Sequence, residues 1–190
     1  MLKNIFISKV RVSILKTYLT DFNATFHVRG LVRELDEEIN AVRRELINLE
    51  EAGILKSRKE GNKLVYRIDP TCPILWELRS MFFKEAPIGQ ALTKLAHEIE
   101  GIKVIILTES YINQKYENKT DVDLLFIGNM KVRELSSAIS EIEKEMEREI
   151  RFSAIKMEDY QFARKKKEPF LMNILEKDKI IMFGQFSDLL

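Results

Sequence analysis

The chain has 190 residues, 45% hydrophobic and 32% charged, with a formal net charge of +1. That is enough for one large or two small domains with a real core under a well-solvated surface. One cysteine, Cys72, excludes an intrachain disulfide framework, and two separated histidines, His27 and His97, leave no Cys/His cluster for a structural zinc. No apolar run approaches the ~20 residues that span a bilayer. The first residues lack the long apolar core and small-residue cleavage site of a signal peptide. A cytoplasmic protein with no membrane partner is expected. Charge is uneven: residues 1–70 carry 13 Lys/Arg against 10 Asp/Glu, a net of +3, and residues 71–190 carry 18 against 20, a net of −2.

In chain order, Val10 to Tyr18 has apolar residues at helical spacing, with Ile14, Leu15 and Tyr18 on one side. A break at "FNATFHV" precedes a second helix, "HVRGLVRELD", with Val28, Leu31, Val32 and Leu35 inward. Gly30 in its middle costs about 1 kcal/mol against alanine, which points to close helix packing there. "DEEINAVRRELINLEEAG" is a third helix, with Val42, Leu46 and Leu49 inward, Ala52 next on that face, and Gly53 as the stop. The period then changes. "ILKSRK" and "KLVYRI" read as strands joined through Glu60-Gly61-Asn62, with Leu64, Tyr66 and Ile68 on one face. Three helices followed by a β-hairpin is the order of a winged helix-turn-helix.

"VRRELINLEEAGILKSRKEGNKLVYRID" resembles the winged-helix repressors of the ArsR-like class, in which the third helix runs through Leu-x-x-Leu-x-x-x-Gly into the wing. That pattern is Leu46, Leu49 and Gly53 here, and the resemblance covers roughly residues 7–69. It implies a DNA-binding transcription regulator with double-stranded DNA as partner. Asn40, Arg43 and Arg44 on the third helix have the groups that bond base edges in pairs. Arg58, Lys59, Asn62 and Lys63 on the wing suit phosphates or a minor groove. The plain alternative is a solvated face, since Glu37, Glu38 and Glu45 lie nearby. The metal-sensing members of the class use Cys and His ligands, and no such cluster is present.

The segment 71–87 connects two halves. Its helix, Ile74 to Lys84, carries Leu75, Leu78, Phe82 and Trp76 as an apolar stripe. It reads either as a strut on the winged helix (residues 1–70) or as a homodimer element. Residues 88–190 then alternate. A helix over Ile88 to Ile99 leads to a buried strand, "IKVIILT", then to the polar loop "ESYINQKYENKT" and a second strand, "DVDLLFIG". A long helix from Val132 to Arg148 precedes a third strand, "EIRFSAI". Helices over Glu158 to Arg164 and Pro169 to Glu176 lead to the closing "KIIMFG". The fold class expected is an α+β winged helix-turn-helix followed by an α/β domain.

Asp121 and Asp123, two apart at the mouth of a strand, would share a face about 6.5–7 Å apart and repel unless something offsets them. The arrangement resembles the nucleotidyltransferase fold of the polymerase-β type. There a strand leads to a Gly-Ser turn that holds triphosphate, and Asp-x-Asp at the next strand holds Mg²⁺. The matching residues are Ser110, Asp121 and Asp123. The departures are large. Glu109 stands at the glycine, where its charge opposes a triphosphate. Arg151 stands at the third acid, with Glu149 one register away. The resemblance therefore implies a degenerate domain, with Ser110, Asp121 and Asp123 vestigial. The aspartates would cap loop amides or pair with Arg151, and no cofactor would be used. Such a domain would sense a nucleotide or small-molecule effector, mediate dimerisation, or both. The alternative is an active, antitoxin-like nucleotidyltransferase using Mg²⁺ at Asp121 and Asp123 to modify a protein or RNA partner.

Overall fold

The computed structural model describes residues 2–189 and divides into two compact units, Met1–Glu85 and Ala86–Leu190. In the first, α1 (Leu2–Ile5) precedes α2 (Lys9–Thr20), whose first turn is capped by Ser8 accepting from the Arg11 amide at 3.2 Å. Then come β1 (Phe26–His27), α3 (Val28–Leu35), α4 (Ile39–Glu51), β2 (Leu55–Glu60), β3 (Lys63–Ile68) and α5 (Leu75–Glu85). The strands form an antiparallel sheet in the order β1-β3-β2. Helix-turn-helix plus hairpin makes this unit a winged helix. Its core joins Ile14, Leu15, Tyr18 and Leu19 of α2 to Leu31, Val42, Leu46, Leu49, Tyr66 and Ile68, all at most 4% exposed.

Several expectations need correction. Gly30 does not mark helix packing: an added Cβ would stand 2.6 Å from Nδ1 of His27. His27 is the N-cap of α3, and its Nδ1 accepts from the Gly30 amide at 3.1 Å. Glycine there makes room for the capping imidazole. Of the residues expected inward on α3 only Leu31 is fully buried; Val28, Val32 and Leu35 are half-buried at its margin. Ala52 is exposed, because it is already the C-cap of α4, and Gly53 turns the chain with φ +71°. Leu64 is exposed because it sits near the wing tip opposite Lys59, beyond reach of the core. Strand β1 was not foreseen, since two residues carry no period.

The connecting helix is α5. Leu75, Leu78 and Phe82 join the first unit's core, while Trp76 stays exposed. The Arg79 side chain is buried, its guanidinium 3.7 Å from the Phe22 ring centroid and its Nε donating to the Leu19 carbonyl at 3.0 Å. A cation there satisfies a carbonyl at the end of α2.

The second unit runs α6 (Pro87–Glu98), β4 (Ile102–Thr108), α7 (Glu109–Ile112), β5 (Leu124–Gly128), α8 (Val132–Met146), β6 (Phe152–Ile155), α9 (Met157–Lys166), α10 (Pro169–Glu176) and β7 (Lys179–Phe183). The sheet order is β6-β5-β4-β7. It is mixed: β4 pairs antiparallel with β5 and β7, and only β5–β6 is parallel. Val104, Ile106, Leu125 and Ile127 face Tyr160 and Ala163 of α9 and Leu171 and Ile174 of α10. By alternation Ile105, Leu124 and Phe126 take the other face, where Phe126 meets Phe152 edge-on at 5.9 Å. Helix α8 stops two residues before its expected end, because Glu147 is left-handed (φ 51°) and releases Arg148 from the helix. Among the described residues no helix is long and apolar enough to cross a membrane.

At the far end of the β4–β5 hairpin, Gly128 (φ +145°) lies against Gly101, whose carbonyl accepts from the Asn129 amide at 2.8 Å. A Cβ on Gly128 would stand 2.0 Å from that carbonyl oxygen. Gly128→Ala should therefore lower the second unit's stability by at least ~2 kcal/mol, read as a drop in its thermal midpoint; an unchanged midpoint would contradict the close approach.

Candidate functional site

The first candidate site is the outer face of α4. Two inward carboxylates hold this helix. Glu45, 3% exposed, accepts from Arg11 Nε at 2.8 Å and Asn48 Nδ2 at 3.3 Å, tying α4 to α2. Burial raises its carboxyl, but bonds from Ser8, Arg11 and Asn48 outweigh that and leave it below its ordinary value. Glu50 accepts from the Ser57 amide at 2.9 Å and its hydroxyl at 2.6 Å, tying the helix end to β2. Glu45 thus does not belong with Glu37 and Glu38 to the solvated face of the plain alternative. The N-cap of α4 is Glu38, which accepts from the Ala41 amide at 2.9 Å. Bonds from the Asn40 and Ala41 amides hold its carboxyl below the ordinary value.

With α4 so held, Asn40, Arg43 and Arg44 all point to solvent. Neither arginine is in an ion pair among the described residues. The wing presents Arg58, Lys59, Asn62 and Lys63, all exposed, around the turn at Gly61 (φ +58°). Arg58 is already paired with Glu60 at 2.5 Å, so Lys59 and Lys63 are its freer cations.

The second candidate site is the mouth of β5. The strand begins at Leu124, so Asp121 and Asp123 precede it and do not share a strand face. Asp121 turns back into its own loop, where its carboxylate accepts from the Glu117 amide at 2.7 Å and the Asn118 amide at 2.8 Å. Burial raises its carboxyl, and the Asn118 and Glu117 amides more than offset this, leaving it below the ordinary range. Asp123 is fully buried. One oxygen accepts from Tyr116 Oη at 2.7 Å and the Arg151 amide at 2.9 Å; the other meets Arg148 Nη2 at 3.3 Å. Its own amide donates to the Arg151 carbonyl at 2.7 Å, and its carbonyl accepts from the Thr108 amide at 3.0 Å.

Asp121 caps loop amides as expected, but the expected pairing of an aspartate with the Arg151 guanidinium is not what the structure has. The pairing arginine is Arg148, and Arg151 meets Asp123 only through its backbone amide and carbonyl. The Arg151 guanidinium lies over the Tyr116 ring at 4.2 Å, and that of Arg148 over Tyr111 at 4.2 Å. No spacing rule marks Arg148; it reaches Asp123 because Glu147 ends α8 early. Burial first, and then the bond to Asp123, push the Tyr116 hydroxyl above its ordinary value.

Ser110 sits at the start of α7 in a small cleft shared with Thr108, Asp121, Asn173 and Lys177. Glu109 faces Lys177 Nζ at 3.2 Å, and Glu117 meets the same nitrogen at 2.7 Å. Those two carboxylates, Glu117 first, raise the Lys177 ammonium above its ordinary value. A Mg²⁺ does not fit these residues as they stand. Asp121 is committed to two amides, and a cation at Asp123 would have to displace Arg148 and Tyr116. Among the described residues no three Asp, Glu, His or Cys side chains converge to hold a metal ion.

No protein-family model matches the chain, and no curated protein matches it significantly in sequence. Among solved structures it is similar to a possible transcriptional regulator from Methanosarcina mazei Go1, with 18% identity over 47% of this chain and 79% of that one, TM-score 0.34. It is also similar to reduced HlyU from Vibrio cholerae N16961 (21% identity, 50% and 84% covered, TM-score 0.33). A third is Rv0081 of M. tuberculosis (23% identity, 50% and 92% covered, TM-score 0.36). The class of the first unit, a winged helix-turn-helix, rests on the topology described above.

The Asp123 environment has a measurable consequence. Removing Arg148 leaves a buried carboxylate without its countercharge, which costs 3–5 kcal/mol where both partners are buried. The Arg148 side chain is 29% exposed, so water replaces part of what is lost. Arg148→Ala should destabilise the second unit by about 2 kcal/mol, and Asp123→Asn in the same chain should recover part of it. Urea unfolding of the two single variants and the double variant measures this; fully additive losses would mean the pair is not coupled.

Proposed function

We propose that the protein is a DNA-binding transcriptional regulator of ArsR-like type, acting on double-stranded DNA as a homodimer in the cytoplasm. The observation that carries this reading is α4, held at Glu45 and Glu50 and carrying Asn40, Arg43 and Arg44 on its outward face. Arginine can bond guanine O6 and N7 together, and asparagine adenine N6 and N7. Lys59 and Lys63 on the wing, with Arg58 and Asn62, would meet phosphates and set the register of the helix in the groove. The exposed Ile74, just before α5, and Trp76, in its first turn, support a pairing surface on that side.

Arg43→Ala or Arg44→Ala should cost about 1–3 kcal/mol at a preferred site if the arginine reads a base. Lys59→Ala or Lys63→Ala should weaken all duplexes alike and flatten the salt slope by about 0.9 per lost phosphate contact. A site selected from random duplexes should be an inverted repeat with half-sites about 34 Å apart. Failure to bind any duplex at about 50 mM salt rejects the regulator reading.

For the second unit we propose a degenerate nucleotidyltransferase-like domain that serves effector sensing, dimerisation or both. The chain order supports the likeness: β4, then Ser110, then Asp121 and Asp123 ahead of β5. Loss of transfer is supported by Arg148 against Asp123 and by Glu109 at the phosphate turn. Transfer needs a metal that bridges a triphosphate held in line with its acceptor, and an arginine neutralises the carboxylate that would hold it. The rival reading, an active Mg²⁺-dependent enzyme modifying a protein or RNA, is favoured only by the survival of both aspartates. Labelled ATP, GTP, CTP or UTP with Mg²⁺ should transfer no nucleotide to the protein itself, to RNA or to a co-expressed neighbour. Robust labelling that disappears in Asp123→Asn establishes the enzyme instead.

A further inference from the structure

Isoleucine 47 lies on α4 and is 43% exposed. A single exposed apolar residue is ordinary on a protein surface, so exposure alone says nothing. Its position does. At about 100° per residue, Ile47 lies roughly 20° around the helix axis from Asn40, about 40° from Arg43 and about 60° from Arg44. The buried positions Val42, Glu45, Leu46 and Leu49 occupy the opposite side. Ile47 is therefore the centre of the outward strip, one turn beyond the two arginines and adjacent to both. Along the axis it is about 10 Å from Asn40, within the span a helix presents to a major groove about 12 Å wide.

A side chain at that point meets base edges before it meets phosphates. Isoleucine has no donor or acceptor for either. The one apolar group that base pairs display in the major groove is the C5-methyl of thymine.

We propose that Ile47 is a specificity-determining residue that reads a thymine methyl in each half-site. It rests on the reading of α4 as the groove helix. The rise from Arg43 to Ile47 is about 6 Å, so the thymine should lie roughly two base pairs, at 3.4 Å each, from the guanine that Arg43 contacts. Arginine and isoleucine then divide the work, one reading guanine by paired hydrogen bonds and the other reading thymine by burial of a methyl group.

The test uses the full chain and the duplex it prefers from a randomised pool. Each thymine is replaced in turn by uracil, which removes the methyl and leaves every hydrogen-bonding group in place. Wild-type protein should lose about four-fold in Kd at one thymine per half-site, the worth of one buried carbon, about 0.8 kcal/mol. Ile47→Ala should bind the thymine duplex more weakly and show less than about two-fold response to the same replacement, because the methyl has lost its partner. Specific binding that is indifferent to uracil at every thymine overturns the inference and leaves the DNA-binding reading standing. So does an Ile47→Ala variant that keeps the full uracil response. If no duplex binds at all, the DNA-binding reading falls and takes the inference with it. The uracil series on wild-type protein needs no variant, so a folding defect in Ile47→Ala cannot mask the result.

Discussion

The second unit depends on a carboxylate that water does not reach. Asp123 has no exposed surface, yet it stands where three segments meet: the end of β4, the loop before β5 and the entry to β6. An isolated charge in such a place is prohibitive. It is tolerated here because Tyr116, the Arg151 amide and the Arg148 guanidinium all point at it. Its backbone meanwhile joins Thr108 to Arg151 across the sheet. The loop carrying Tyr116 and the turn carrying Arg148 are thus held by one side chain. No buried side-chain polar atom among the described residues lacks a hydrogen-bond partner.

The first unit solves a similar problem for a different end. A helix meant to present a face outward must be held from behind, and apolar packing alone permits sliding and rotation. Glu45 with Arg11, and Glu50 with Ser57, add directional bonds at two points along α4. These bonds fix which residues face out. Asn40, Arg43, Arg44 and Ile47 become a defined pattern instead of an average over rotations, which the proposed reading of base edges requires.

Much of this was legible in the residues. Val42, Leu46 and Leu49 set the inward face of α4, and so its outward face as well. The apolar runs of β4 and β5 announced buried strands, and Gly53 and Gly61 announced turns. Several features were not legible. Strand β1 has two residues and exists only because β3 lies beside it. Glu45 reads as one more surface acid until Arg11, 34 residues away, is placed against it. Gly30 invited the wrong explanation because the group that needs its space is the imidazole of His27, three residues earlier, folded back as a cap.

The sequence alone therefore determined the three helices and hairpin of the winged helix, the main helices and strands of the second unit and the residues on the outer face of α4, but not helix α7, whose four residues read as part of a polar loop. These follow from local periodicity and turn chemistry, which act within a few residues. The tertiary structure decided the fate of Asp121 and Asp123. Two acids spaced for a shared cation on a strand became, in the fold, one loop cap and one buried carboxylate paired with a partly exposed arginine. The difference lies in where Arg148 and Tyr116 arrive, and that is set by a left-handed residue at Glu147 and by the packing of a loop. Electrostatic partners are chosen by distance in space, and no spacing along the chain encodes it.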